Sequence, residues 1–235
     1  MTRPPSATKT PAPATALLLA TLLLAGSMPG TPLRAAPPDA NDPSHVDSDW
    51  ILSKLVQPAP ARTSFVELRG SKLLKKPLRL QGEYLRPDAD TLVRKVAAPY
   101  TETTTIRAGE VEIARAGKAP RRFSLARAPE MAGLQSSFGA LLSGDRRLLD
   151  QRYHLHTQGT RQRWTLTLTP KDAAMRQKIQ TITLYGRGAE LRCIETQPAQ
   201  GDAQRTLLAG AARSAEGVTG TGALATLCYG GAKPQ

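Results

Sequence analysis

The sequence predicts a mainly β (α+β) fold, in which an antiparallel sheet is covered by a small number of helices. Residues 164–170 alternate apolar and hydroxyl side chains, which is the period of a strand with one buried face. Several other short segments read as strands separated by turn residues, whereas residues 131–142 have the period of a helix. The 235 residues are enough for one β-rich domain with a sizeable core, or for two small domains.

Residues 1–36 predict a signal peptide. Arg3 and Lys9 supply a positive start, and the apolar run over residues 14–25 is short for a bilayer span. An uncleaved membrane anchor is the alternative. Ser27 stands where a bacterial lipoprotein signal carries the cysteine that is acylated, so we expect a soluble periplasmic protein. Residues 37–48 are rich in Pro, Asp and Ser and are expected to form a flexible linker.

A first helix is expected near residue 50, where Asp47 or Asp49 can cap its N-terminus. Pro58 and Pro60 end it. The apolar stripe of this helix consists of Ile51, Leu52, Leu55 and Val56. Strands are then expected at residues 64–68, 78–85, 93–96, 103–107, 111–114 and 122–125.

A second amphipathic helix is expected in the middle of the chain. Its apolar positions have helical spacing, and they are Met131, Leu134, Phe138, Leu141 and Leu142. Together with the helix near residue 50, it can lie across the open face of the sheet as a lid. Alternatively, both helices fill a closed core.

The next segments predict a meander of four antiparallel strands, at residues 153–157, 164–170, 178–184 and 191–195. Pro170 ends the second of these strands because it cannot donate to a ladder. Asp172 can cap a short turn before the third strand, and Gly186-Arg187-Gly188 makes the turn into the fourth.

The order of motifs in this region resembles the LolA family of periplasmic lipoprotein carriers. Tyr153-x-Leu155-x-x-x-Gly159 is followed by Leu-Thr-Pro-Lys at 168–171, a lysine before a Thr-Ile strand, and Gly-Arg-Gly at 186–188. Upstream, Arg86-Pro87 follows a strand as in the family. The resemblance covers residues 49–208. Residues 209–235 are rich in Gly, Ala and Thr and are expected to form a flexible or loosely docked C-terminal tail.

This resemblance implies a half-open antiparallel barrel, or curved sheet, whose helical lid closes a cavity for acyl chains. It also implies that Arg86 lies under the lid and donates hydrogen bonds to the backbone of the lid. Arg86 thereby joins the apolar lid residues named above. The inward-facing candidates for the cavity wall are Leu80, Tyr84, Trp164, Leu166, Leu168, Ile182 and Leu184. Each of these side chains can equally be ordinary core.

The function that follows is a soluble periplasmic carrier, which binds the acyl chains of a lipoprotein, a glycolipid or another lipid and moves them toward the outer membrane. An inner-membrane donor and an outer-membrane acceptor are the expected partners, and we expect a monomer. The alternative is a periplasmic module of the same fold that senses a lipid or lipoprotein and signals to a partner.

Other classes of function find little support in the sequence. The net charge of +13 favours acidic partners, but aromatic residues make up only 4% of the chain, so no platform for stacking nucleic-acid bases is evident. His154 and His156 share a strand face without an evident third metal ligand. We find no catalytic triad or phosphate loop, and predict neither an enzyme nor a bound cofactor.

The two cysteines, Cys193 and Cys228, are expected to form a disulfide if the chain is exported, because the periplasm is oxidising. Alternatively, Cys193 is a buried apolar residue and Cys228 is a free thiol on the tail.

Overall fold

The computed structural model describes residues 45–69, 77–125, 141 and 144–230. Eleven strands in these ranges form one sheet. They are β1 Ala61–Arg69, β2 Leu78–Arg86, β3 Thr91–Ala98, β4 Glu102–Arg107, β5 Glu110–Arg115, β6 Arg121–Ser124, β7 Tyr153–Thr160, β8 Arg163–Pro170, β9 Ile179–Arg187, β10 Glu190–Pro198 and β11 Gln204–Leu208. The helices are α1 Ser48–Leu55, α2 Arg146–Arg152, α3 Ala173–Arg176, α4 Ala209–Arg213 and α5 Thr221–Tyr229.

Neighbouring strands are antiparallel throughout the sheet, whose order is β6-β5-β4-β3-β2-β1-β11-β10-β9-β8-β7. Strands β6 and β7 are its two edges, so the sheet stays open. The predicted fold class, mainly β with an open antiparallel sheet and a few helices, is confirmed.

Strands β7 to β10 form the predicted meander. Leu168 pairs with Leu155 on one side and Ile182 on the other. Trp164 and Leu168 are buried on one face, while the hydroxyls of Thr167 and Thr183 lie 3.4 Å apart on the other. The alternation in the sequence therefore predicted correctly which side chains lie on each face of β8. The turn between β9 and β10 falls at residues 188–189, slightly later than the Gly-Arg-Gly motif indicated.

The centre of the sheet joins the first strand to the last one. Phe65 in β1 pairs with Leu208 in β11, and β11 was not predicted as a strand. We call the face that carries Phe65, Trp164 and Leu168 the inner face, and the face that carries Val66 and Cys193 the outer face. Each face has its own buried apolar residues.

Helix α1 is capped by one of the two predicted residues. The carboxylate of Asp47, rather than Asp49, accepts a hydrogen bond from the Trp50 backbone N–H at 2.7 Å. The helix ends at Leu55, so Val56 lies beyond the apolar stripe and is 46% exposed.

The segment just before α1 is packed, although the sequence predicted a linker there. His45 pairs with Thr160 at the end of β7. Val46 is 3% exposed and packs with the inner-face core. Residues 45–48 are therefore part of the packed domain rather than of the predicted linker, and residues 37–44 lie outside the described residues.

The C-terminal segment differs from the flexible or loosely docked tail that the sequence predicted. Residues 209–230 are not a loosely docked tail, because α4 and α5 pack on the outer face of the sheet. Ala211, Ala215 and Leu224 are buried there beside Tyr185. Cys228 of α5 forms a disulfide with Cys193 of β10. Small alanine side chains allow the helices to lie close to the strands. A segment whose composition is typical of a flexible tail therefore packs against the sheet.

No helix in the described part of the chain is both long and apolar enough to cross a membrane. Residues 1–36, for which a signal peptide is predicted, lie outside the described residues.

Candidate functional site: a cavity on the inner face

A cavity lies between α1 and the inner face of the central strands. Counted out to its opening to solvent, its volume is about 860 Å³. Its apolar walls come from strands on both sides of the β1–β11 pair, from α1 and from one further residue, namely Tyr84, Leu85, Leu92, Leu184, Leu191, Ile194, Leu208, Leu55 and Leu141. Ala61 and Thr63 leave room between these larger side chains. The apolar lining is that of a site for an apolar small molecule.

Three charged side chains line the cavity: Arg86, Glu190 and Lys54, whose ammonium lies 5.7 Å from the centroid of the Trp50 ring. Arg86 donates hydrogen bonds to the backbone carbonyls of Gln57, at 2.7 Å, and Ala89, at 3.4 Å. Glu190 accepts a hydrogen bond from the Gly210 backbone N–H at 2.7 Å and lies 3.3 Å from the Arg192 guanidinium. Because these polar groups are already engaged, the remaining surface of the cavity suits an apolar ligand.

Only two of the seven predicted cavity residues line this cavity, namely Tyr84 and Leu184. The other five lie in the packed core of the inner face, and they are Leu80, Trp164, Leu166, Leu168 and Ile182. For all of these except Leu80, the reason is that this part of the inner face is covered by helices. Ile51 and Leu52 of α1 and Leu149 of α2 belong to the same cluster as Leu166 and Leu168.

Three parts of the predicted lid lie within the described residues: Leu141, helix α1 and Arg86. Leu141 is 7% exposed and lines the cavity. Helix α1 supplies a second wall, and Arg86 holds the carbonyl of Gln57, two residues after the helix ends. Met131, Leu134, Phe138 and Leu142 lie outside the described residues, so their role in a lid stays a prediction.

The inner face also carries a buried ion pair that the sequence analysis missed. Glu67 is 1% exposed, and its carboxylate lies 3.0 Å from the Arg94 guanidinium. The Gln204 amide donates a hydrogen bond to the same carboxylate. Arg94 also lies over the ring of Phe65, 4.6 Å from its centroid. A buried charge needs such partners, and those of Glu67 come from two other strands, β3 and β11.

Five apolar wall residues were also missed: Leu85, Leu92, Leu191, Ile194 and Leu208. A signal existed for Ile194, because it pairs with Leu184 and therefore shares its face. Leu208 carried no such signal, since its place depends on the pairing of β11 with β1.

The histidines do not form a metal centre with their neighbours. His154 and His156 are exposed on the edge strand β7. Within the described ranges, no three His, Cys, Asp or Glu side chains come together in a group that can hold a metal ion.

Comparisons with known proteins place this geometry in a family. Residues 40–232 match the family described as outer membrane lipoprotein carrier protein LolA-like. LolA superfamily protein NE2245 from Nitrosomonas europaea is 15% identical, with 69% of this chain and 76% of that chain covered and a TM-score of 0.35. LprF from Mycobacterium bovis is 14% identical, with 71% and 93% covered and a TM-score of 0.33. A comparison with curated proteins gives no match.

Proposed function

The chain belongs to the LolA-like outer membrane lipoprotein carrier family, and from this premise we propose that it is a periplasmic carrier of acylated cargo. The cargo is a lipoprotein, a glycolipid or another lipid, whose acyl chains occupy the cavity on the inner face. The observation that carries this proposal is the cavity itself, with its apolar walls and its opening to solvent.

An acyl chain needs no reactive group in its binding site, only apolar surface that is kept from water. Each methylene that leaves water contributes about 0.8 kcal/mol. The walls formed by Leu92, Leu191, Ile194 and Leu208 supply such surface. The charged groups of Arg86 and Glu190 are held by protein partners, so a chain that enters beside them does not have to strip a free charge of its water.

Loading and release require the cavity to open. Helix α1 covers one side of it through apolar packing and the hydrogen bond from Arg86 to Gln57. Movement of this cover breaks no covalent bond in the described residues. We infer that exchange of cargo with an inner-membrane donor and an outer-membrane acceptor takes place through this side.

The direct test is native mass spectrometry of the protein purified from the periplasm, in which a bound acyl species is expected. A designed variant locates the site. Thr63 lines the cavity opposite Tyr84, so Thr63→Phe should fill space and weaken the binding of a fluorescent fatty acid at least tenfold. Thr103→Phe is the matched control, because Thr103 lies on β4 and does not line the cavity.

Two results contradict the proposal: no acyl ligand on the wild-type protein, or equal binding by the two phenylalanine variants. A transfer assay between donor and acceptor vesicles separates a carrier from a sensor of the same fold. A carrier moves labelled lipid between them, whereas a sensor binds the lipid and leaves it in place.

A further inference from the structure

A second pocket lies beside α5, at the end of the sheet where β8 and β10 begin and β9 ends. Its volume, out to the solvent opening, is about 640 Å³. None of its lining residues lines the cavity on the inner face. We call it the arginine pocket, because Arg163, Arg187 and Arg192 all line it.

The charge in this pocket is strongly positive. Three arginines line it, and no Asp or Glu is among its lining residues. The nearest carboxylates are already engaged: Glu190 contacts Arg192 at 3.3 Å and also accepts from the Gly210 N–H. Glu195 pairs with Arg205 at 2.5 Å. Of the three arginines, only Arg192 contacts a carboxylate, so the pocket keeps a net positive charge.

The donors of these arginines are only partly used. The Nε atom of Arg192 is buried and has no acceptor among the described residues. Arg163 donates one hydrogen bond, to the carbonyl of Gly230 at 3.1 Å. Arg187 is exposed and forms no ion pair within the described part of the chain. A guanidinium has five N–H donors, so most of the donor capacity in the pocket is open to a ligand.

The walls of the pocket are held in place before any ligand binds. Cys228 lines it and is tied to β10 by the disulfide with Cys193. Trp164 also lines it, and its indole N–H donates to the carbonyl of Gly188 at 2.8 Å. A rigid site loses less entropy when it binds a small ion.

We propose that the arginine pocket binds an oxyanion of the phosphate class. Planar guanidinium groups match the oxygens of phosphate in pairs, and several arginines around one pocket favour an anion with more than two acceptor oxygens. The phosphate belongs either to a free ion or to a phospholipid headgroup. This inference does not rest on the carrier function, because the pocket and the inner cavity share no lining residue.

The experiment uses the full chain and two probes. Inorganic phosphate is titrated in a calorimeter, and vesicles of phosphatidylglycerol with phosphatidylcholine are compared with pure phosphatidylcholine by co-sedimentation at low salt. Arg187→Gln and the double variant Arg187→Gln/Arg192→Gln are compared with Arg121→Gln. Arg121 is the matched control, because it is exposed on β6 at the far edge of the sheet and its replacement removes the same charge.

The wild type should bind at least one of the two probes. Arg187→Gln should weaken that binding about tenfold, the double variant more, and Arg121→Gln should leave it unchanged. Binding of phosphate alone identifies a soluble anion, and binding of anionic vesicles alone identifies a headgroup. The proposal is overturned if the wild type binds neither probe, or if Arg121→Gln weakens binding as much as Arg187→Gln. Arg187 is exposed, so its single variant decides the outcome even if the double variant is unstable.

Discussion

The two faces of the sheet are covered in different ways. On the outer face, α5 is joined to β10 by the Cys193–Cys228 disulfide. The hydroxyl of Tyr229 in α5 also donates to Glu195 at 2.8 Å. On the inner face, α1 is held by apolar packing and by hydrogen bonds such as the one from Arg86 to Gln57, and a cavity remains beside it.

This difference shows how one sheet can serve two purposes. The outer cover is crosslinked to the sheet and leaves no large apolar cavity in the described residues, so it stabilises the domain. A cover that is held only by weak contacts can move and admit a ligand. The following experiments test this contrast, beginning with the largest effect.

The largest difference in stability is expected between two substitutions on the inner face, one in its packed part and one in the wall of the cavity. Leu168 is fully buried in the inner-face core cluster, so Leu168→Glu should lower the free energy of unfolding by about 5 kcal/mol. Leu92 lines the cavity and is half-buried, so Leu92→Glu should cost about 1 kcal/mol and abolish fatty-acid binding. Urea unfolding and a fluorescent fatty acid measure the two effects. Equal stability of the variants would contradict the division of the inner face.

The next effect concerns the outer face. Replacing Cys193 and Cys228 by Ala together should cost about 4 kcal/mol, because the crosslink closes a loop with a sequence separation of 35. Fatty-acid affinity under native conditions should stay unchanged, since neither residue lines the inner cavity. Urea unfolding of the double variant, with reduced wild type as the control, measures the cost. A loss of affinity in the folded variant would show that the two faces are coupled.

A smaller effect is expected for the cover of the inner cavity. Arg86→Leu removes hydrogen bonds to Gln57 and Ala89 and should cost about 1–2 kcal/mol. We expect faster proteolysis near α1 and stronger binding of a hydrophobic dye, because the cover opens more often. Arg86→Lys keeps the charge without the planar fork and should be intermediate. If both variants match the wild type in all three measurements, Arg86 does not hold the cover.

The smallest effect is a dependence of stability on alkaline pH. Burial, reinforced by the nearby Glu195 carboxylate, raises the pKa of Tyr185 above its ordinary value. Above about pH 10 the unfolded tyrosine loses its proton while the folded one keeps it. The unfolded state then binds fewer protons, so the free energy of unfolding should fall by about 1 kcal/mol over the next pH unit.

Tyr185→Phe removes the titrating group and serves as the comparison. Its melting temperature should be lower than that of the wild type at neutral pH, because the hydrogen bond to Glu195 is lost. It should then decline less steeply as the pH rises. Parallel curves for the two proteins would mean that Tyr185 does not titrate differently in the folded state.

Local patterns in the sequence determined much of this fold. The alternation around Trp164 and Leu168 predicted both a strand and the face that it buries, because side chains alternate across any strand. Asp47 marked the start of α1 through its capping carboxylate. The carrier family was also recognisable from the order of short motifs between Tyr153 and Gly188, and the match over residues 40–232 confirms it.

Only the tertiary structure decided which part of the inner face is hollow. Leu168 and Leu184 obey the same alternation and are both buried in the same core cluster, yet only Leu184 also lines the cavity. The pairing of β1 with β11 and the packing of α4 and α5 join residues far apart in the sequence. Local periodicity fixes the face to which a side chain points, but the position of the element that covers it depends on contacts between distant segments.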